Sequence, residues 1–308
     1  MVRRKKWINR LWRDKVLVLM CVPALVMVIL FNYVPMSGLV LAFKKFDYSL
    51  GLYRSPWNGF ENFRHLFLAG NTYWRITRNT VLYFLLFTAV GTICNVLLAI
   101  GINELAFKRS AKYLQSIMIM PTFISYIAVT YIVAAFLENK TGMINKFRVA
   151  IGQTPIKFYL EAQYWPFILT IVKIWKGTGY GSVLYLATLS GIDPNLYEAA
   201  ALDGANARQK MWYITLPLLI PMVTIMTLLS LGSIMHSDTG LFYQVTKNTG
   251  ALYKTTQVLD SYVLNSIMTN SNYGMTAATT FYQSLIGCIM VVGTNLIVRK
   301  VSPENALF

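Results

Sequence analysis

The chain has 308 residues, of which 56% are hydrophobic and only 13% charged, with a mean hydropathy of +0.49. Soluble domains carry roughly 25% charged residues, and here the apolar residues run in blocks, so the composition argues against a soluble domain and for membrane-spanning helices. The net charge of +16 reflects a shortage of acidic residues, 12 in all; with no basic recognition helix or RNA-binding aromatic motif, nucleic acid is not an expected partner.

The chain opens on a basic segment, residues 1–15, in which Arg3-Arg4-Lys5-Lys6 through Lys15 precede an apolar run. That run is too long for the apolar core of a signal peptide and has no small-x-small cleavage site, so it predicts a first span at 16–37. A helix rises about 1.5 Å per residue and needs about 20 residues to cross about 30 Å of hydrocarbon. Five further stretches qualify, at 81–102, 114–137, 165–189, 216–235 and 280–298, of which the fourth is interrupted by Lys173 and Lys176. Between the first two spans, Asp47-Tyr48, Ser55-Pro56-Trp57-Asn58-Gly59 and several aromatics predict an ordered connection over 38–79.

Charge sets the orientation. Residues 1–15, 103–113, 190–215 and 299–308 together hold 14 Lys and Arg in 62 residues, against 12 in the 113 residues of 38–79, 138–164 and 236–279. The denser set belongs in the cytoplasm, which puts both termini there. No Gly/Ser linker divides the chain, so residues 16–308 are expected to form one membrane domain in contact with lipid. Cys21, Cys94 and Cys288 fall in apolar spans and read as small hydrophobes; His65 and His236 lack a partner cluster, so no metal site is expected.

In the fourth span, Lys176 falls near the expected midplane, where a lysine costs about 3 kcal/mol unless it faces protein or water. Two readings stand side by side. Lys176 pairs with carbonyls or polar groups in the bundle, or Lys173 and Lys176 line a translocation path with Trp175 and Tyr180. Thr178-Gly179-Tyr180-Gly181 has the look of a potassium filter, but no pore helix precedes it; Gly177, Gly179 and Gly181 read instead as sites of close helix packing or local distortion. Trp74, Trp165, Phe281 and Tyr282 either mark membrane interfaces or stack on sugar rings.

The segment Gly191–Ala205 is the most informative. Asp193 is a good N-cap and Pro194 a good first helical residue; Leu196, Ala199, Ala200 and Asp203 recur on one face, and Gly204 stops the helix. A second helical stretch, 206–215, leads to Leu216-Pro217. Small side chains let another surface approach closely, and Glu198 can pair with a basic group on it. Short connections on both sides would transmit a push into spans four and five.

These residues also carry a resemblance. Glu198-Ala199-Ala200, Asp203-Gly204-Ala205 and Ile214-Thr215-Leu216-Pro217 resemble the EAA motif of binding-protein-dependent ABC importers, and 189–221 looks like the maltose-type carbohydrate permeases. Val34-Pro35-Met36, Ala42-Phe43-Lys44, Trp57–Phe63, the region 241–255 and the tail Val298–Pro303 are similar to the LplB-like branch for complex oligo- and polysaccharides. The resemblance implies an all-α integral membrane fold of the type I importer kind, with six spans in a bacterial cytoplasmic membrane. It implies partners too: a second homologous permease, ATPase subunits, and an extracellular solute-binding protein that delivers the sugar.

No G-x-x-x-x-G-K-[S/T] occurs, so ATP and Mg are expected on a separate chain and no cofactor on this one. H-E-x-x-H and G-x-S-x-G are absent as well, and Glu138 is the lone acid near an outer span end, which leaves a hydrolase without an acid/base pair. A transport subunit, not an enzyme, is the reading; an ion channel and a membrane-embedded enzyme are the alternatives from other classes.

Overall fold

The computed structural model describes residues 14–64, 71–105, 108–270 and 272–301. Most of the basic N-terminal segment, His65 and the tail from Ser302 lie outside them. Among the described residues the structure is helical, with one isolated bridge between Lys44 and Trp57. Two compact units are present, Met1–Leu68 with Asn270–Phe281, and Ala69–Thr269 with Tyr282–Phe308.

The first unit is dominated by α1 (Lys15–Phe43), which passes through a π turn at Ile29–Tyr33 and ends as a 3-10 helix from Ser37. Between Lys15 and Met36 it buries no side chain, as suits a helix solvated by lipid. The connection that follows is ordered, as its aromatics predict. Phe43 stacks on Trp57 and meets Phe60, Phe63 and Phe281 edge-on or tilted, with centroids 5.3–5.8 Å apart. The Asn62 amide donates to the carbonyls of Ala42 at 3.0 Å and Lys44 at 2.8 Å, closing the turn.

The second unit begins with α2 (Asn71–Asn103), which starts ten residues before the expected span, so 71–79 is helix and not connection. The third span departs further from expectation. In place of one straight helix over 114–137 there are α3 (Lys108–Phe123) and α4 (Tyr126–Leu137), bent by 97°. The cause is local: Pro121 has no N–H for the last turn of α3, and the Ser125 hydroxyl accepts the Ala128 N–H at 3.3 Å to start a new helix.

Next come α5 (Met143–Ala150), α6 (Trp165–Ser190), α7 (Pro194–Leu202), α8 (Ala207–Leu231), α9 (Leu259–Asn270) and α10 (Tyr273–Val301). By length and composition α1, α2, α8 and α10 can each cross a membrane, and the bent α3–α4 pair makes a fifth crossing if counted as one. α6, at 26 residues, is about 39 Å long and spans by length, but its lysines, glycines and hydroxyls leave it too polar to qualify on composition.

α6 compensates by packing. A Cβ on Gly179 would lie 1.8 Å from the Met118 carbonyl oxygen of α3, and one on Gly181 would lie 2.5 Å from the Asn95 amide of α2. Against the α3 backbone only glycine allows such an approach, whereas at Gly181 a larger residue would have to displace the Asn95 side chain. Gly177, by contrast, faces open space, so the expected packing role holds for two of the three glycines. Trp165 is fully buried and its indole donates to the Phe158 carbonyl at 2.7 Å, which removes it as a stacking platform. Beyond α8, the chain folds back onto α2: the Asn79 amide donates to the carbonyls of Lys254 and Gln257, each at 3.2 Å, and Thr80 accepts the Leu259 N–H at 2.9 Å.

Candidate functional site

α7 forms where its caps predict. The Asp193 carboxylate accepts the Asn195 N–H at 3.0 Å, and Pro194 occupies the first turn. Gly204, at φ +83°, takes the left-handed conformation that ends the helix. Ala205 N–H then closes onto the Ala200 carbonyl at 2.8 Å. Asn206 and Gln209 form a reciprocal capping box that starts α8. Pro217 has no N–H to give its own helix, and the preceding Met211–Thr215 turn widens to π.

No residue of α7 is buried. Glu198 and Ala199 are exposed, as are Asp203 and Gly204 on the same short segment. Leu202 is 90% exposed and Tyr213 80%. A hydrogen bond between the Tyr197 hydroxyl and Thr215, at 3.0 Å, holds the helix from behind. A short helix that offers small residues, a carboxylate and an uncovered leucine is an incomplete surface.

On α6 the lysines have partners. The Lys176 ammonium donates to the carbonyls of Thr122 at 2.6 Å, Ile124 at 2.7 Å and Pro121 at 3.3 Å, and lies 5.1 Å from the Tyr126 ring centroid. Thr122 returns a hydrogen bond to the Lys176 carbonyl at 2.8 Å. The bend between α3 and α4 leaves the Thr122 and Ile124 carbonyls for Lys176 to satisfy, while Pro121 also accepts the Ile124 N–H at 3.2 Å. Lys173, one turn away, pairs with Asp238 at 3.1 Å, and Asp238 also accepts from the Tyr126 hydroxyl. Lys173 and Asp238 line a cavity of about 240 Å³ with Tyr83, Phe87, Ser233 and His236.

Tyr180 lies two turns along the same face of α6 and is 66% exposed, outside that cavity. Trp175 lies on the opposite face by helical spacing, 43% exposed. The Thr178–Gly181 stretch is continuous helix, so it presents no extended loop of carbonyls to an ion.

Sequence reading missed the acids that follow α8. His236, expected to have no partner cluster, lies 3.5 Å from Asp260, and Glu138 is not the lone acid at this end of the bundle. Asp260 also accepts the Ser237 N–H at 2.5 Å, the Ser237 hydroxyl at 2.9 Å and the Gln283 amide at 3.2 Å. Burial alone would raise the Asp260 pKa, but these donors together hold it below its ordinary value. His236 is one of the groups that lower Asp260, and the Asp260 carboxylate in turn raises His236, against a smaller opposing effect of burial. The only local hint was a polar His-Ser-Asp run at the end of an apolar span.

An all-helical membrane domain with a capped, uncovered helix between two of its long helices is the architecture of an ABC importer permease subunit. The family described as binding-protein-dependent transport system inner membrane component matches residues 91–303, and the chain belongs to it. It is a permease of the LplB-like branch: it is 32% identical to Protein LplB of Bacillus subtilis (strain 168) over 97% of this chain and 93% of that protein. It is 29% identical to the polygalacturonan/rhamnogalacturonan transport system permease protein YteP of the same organism, over 98% and 94%. Among solved structures, a chain of a bacterial ABC transporter involved in the import of the acidic polysaccharide alginate matches with a TM-score of 0.85 at 29% identity, covering 96% of this chain and 99% of that one. A second structure of that transporter, in complex with alginate pentasaccharide-bound periplasmic protein, matches at 0.84.

Proposed function

We propose that this permease imports oligosaccharides or complex glycans and that α7 is where a separate ATPase engages it. The observation that carries the reading is the likeness of nearly the whole chain to a permease of an alginate importer, joined to the exposed, doubly capped α7. In this reading Glu198 pairs with a basic group of the ATPase, Ala199 and Ala200 let its surface approach, and Asp203, Gly204 and Ala205 set the end of the docking helix. Pro217 marks the entry into the span that receives the motion.

A second homologous permease completes the pathway, and an extracellular solute-binding protein delivers the glycan. Both termini lie in the cytoplasm of a bacterial cell. ATP and Mg bind the ATPase; closure of the ATPases draws the α7 helices together and opens the path outward, and hydrolysis resets it. Lys173, at the cavity beside Asp238, is placed to meet passing hydroxyls. Tyr180 continues that face of α6, while Lys176 and Trp175 support it from the bend and from the opposite side.

Co-purification tests this directly. The tagged chain should bring down a soluble ATPase and a second membrane protein, and recovery of a functional lone chain would overturn the reading.

A further inference from the structure

A second cleft, of about 580 Å³, opens between α4 and the segment after α8, lined by Thr130, Tyr131, Tyr243, Gln244, Lys247 and Asn248 among others. Its backbone is unusual. Gly240–Val245 is a π-helix, a form concentrated at functional sites. At its end Lys247 and Asn248 both adopt positive φ, at 54° and 45°, to return hydrogen bonds to the carbonyls of Gln244 and Tyr243. Asparagine tolerates that conformation, lysine adopts it at a cost, and glycine would relax it. A strained lysine at a glycine position points to a use for its head group.

The head group is held in place. Lys247 Nζ lies 3.1 Å from the Glu138 carboxylate and 4.5 Å from the centroid of the Tyr159 ring. An ammonium has three donors, so one remains for the cleft. The side chains lining the cleft include two tyrosines, Tyr131 being 73% exposed, amides, a hydroxyl and this one cation, with no carboxylate among them. Aromatic faces with hydrogen-bonding groups suit a sugar ring, and an ammonium that is paired with Glu138 on one side and keeps a donor on the other can also take a carboxylate on that ring.

We propose that this cleft is a subsite for an acidic sugar unit, a uronate, with Tyr131 against the ring and Lys247 on the carboxylate; the proposal rests on the glycan-import reading above. It shares no lining residue with the Lys173 cavity, which receives Phe242 of the Gly240–Val245 helix where this cleft receives Tyr243 and Gln244.

The test uses the full chain in lipid nanodiscs, with a galacturonate trisaccharide and a neutral galactose trisaccharide as probes and binding read by saturation-transfer NMR. The acidic probe should bind more tightly, and Lys247→Gly, which suits the backbone, should weaken it about tenfold or more without changing the neutral one. Lys247→Arg should retain binding. Glu138→Gln, by freeing the ammonium, should strengthen acidic binding a few-fold, whereas a purely structural ion pair would make Glu138→Gln and Lys247→Gly behave alike. Equal binding of both probes, unmoved by Lys247→Gly and Tyr131→Ala, would overturn the subsite and leave the permease reading standing. Failure of the intact complex to transport any glycan, acidic or neutral, would instead remove the reading on which it rests.

Discussion

Replacing Lys176 by methionine shortens the side chain by one atom, keeps it unbranched and removes its three hydrogen bonds. Two of them, at 2.6 and 2.7 Å, are short bonds from a cation to carbonyls of the α3–α4 bend. Leaving a buried acceptor unpaired costs about 1–3 kcal/mol, so the two together cost roughly 2–6 kcal/mol by the same measure. Removing a charge from an apolar span recovers up to about 3 kcal/mol, less here because Lys176 is only partly buried. The net loss is therefore about 2 kcal/mol, or an apparent Tm lower by about 4–8 °C at 2–4 °C per kcal/mol. Thermal melts of the detergent-purified chain measure it, with Lys176→Arg as the variant that keeps a donor. A Lys176→Met protein that melts with the wild type would refute the account of the bend. If it also transports at the wild-type rate, Lys176 has no part in the pathway either.

Glu198→Lys should abolish association with the ATPase while helical content and membrane insertion stay intact, as pull-down and circular dichroism will report. Gly179→Ala and Gly177→Ala lie two residues apart, on opposite faces of α6, and should diverge: the first drives a methyl into the Met118 carbonyl and should cost about 1–3 kcal/mol, the cost of overpacking, while the second meets nothing and should gain up to about 1 kcal/mol of helix propensity. Stability should also follow pH. The lowered pKa of Asp260 contributes stability present above its ordinary 3.8 and lost as pH falls through the lower folded value; the raised pKa of His236 contributes stability present below its ordinary 6.5 and lost as pH rises through the higher folded value. Melts across pH should thus decline on both sides of the interval from 3.8 to 6.5, and His236→Gln should abolish the alkaline decline and also weaken the acid one, since His236 helps to lower Asp260.

α7 was legible because every signal for it is local: Asp193, Pro194, Gly204 and Asn206 fix its ends through hydrogen bonds within a few residues. The long helices were legible too, since lipid imposes length and apolarity on them. The bend at Ser125 was not, because hydropathy runs unbroken through it; Pro121 and Ser125 sit in an apolar stretch where proline is common in membrane helices. Neither were the partners of the two lysines. Lys173 finds Asp238 across 65 residues of chain, and Lys176 finds carbonyls, which no side-chain pattern records. The Asp260 cluster joins three separate segments, His236-Ser237, Asp260 and Gln283, so its existence depends on packing alone.

The stitching of α2 to the chain beyond α8 has a consequence for biogenesis. Asn79 reaches Lys254 and Gln257 across 175 and 178 residues. At about 5–20 residues per second, synthesis of that interval takes roughly 10–35 s. Through that time α2 has left the ribosome with its amide unanswered, and the intervening helices must insert around a seam that only later sequence can close. The nascent chain is thus most vulnerable to quality-control proteases just before its last helix emerges, and truncations that stop short of Gln257 should be degraded even though most of their helices are complete.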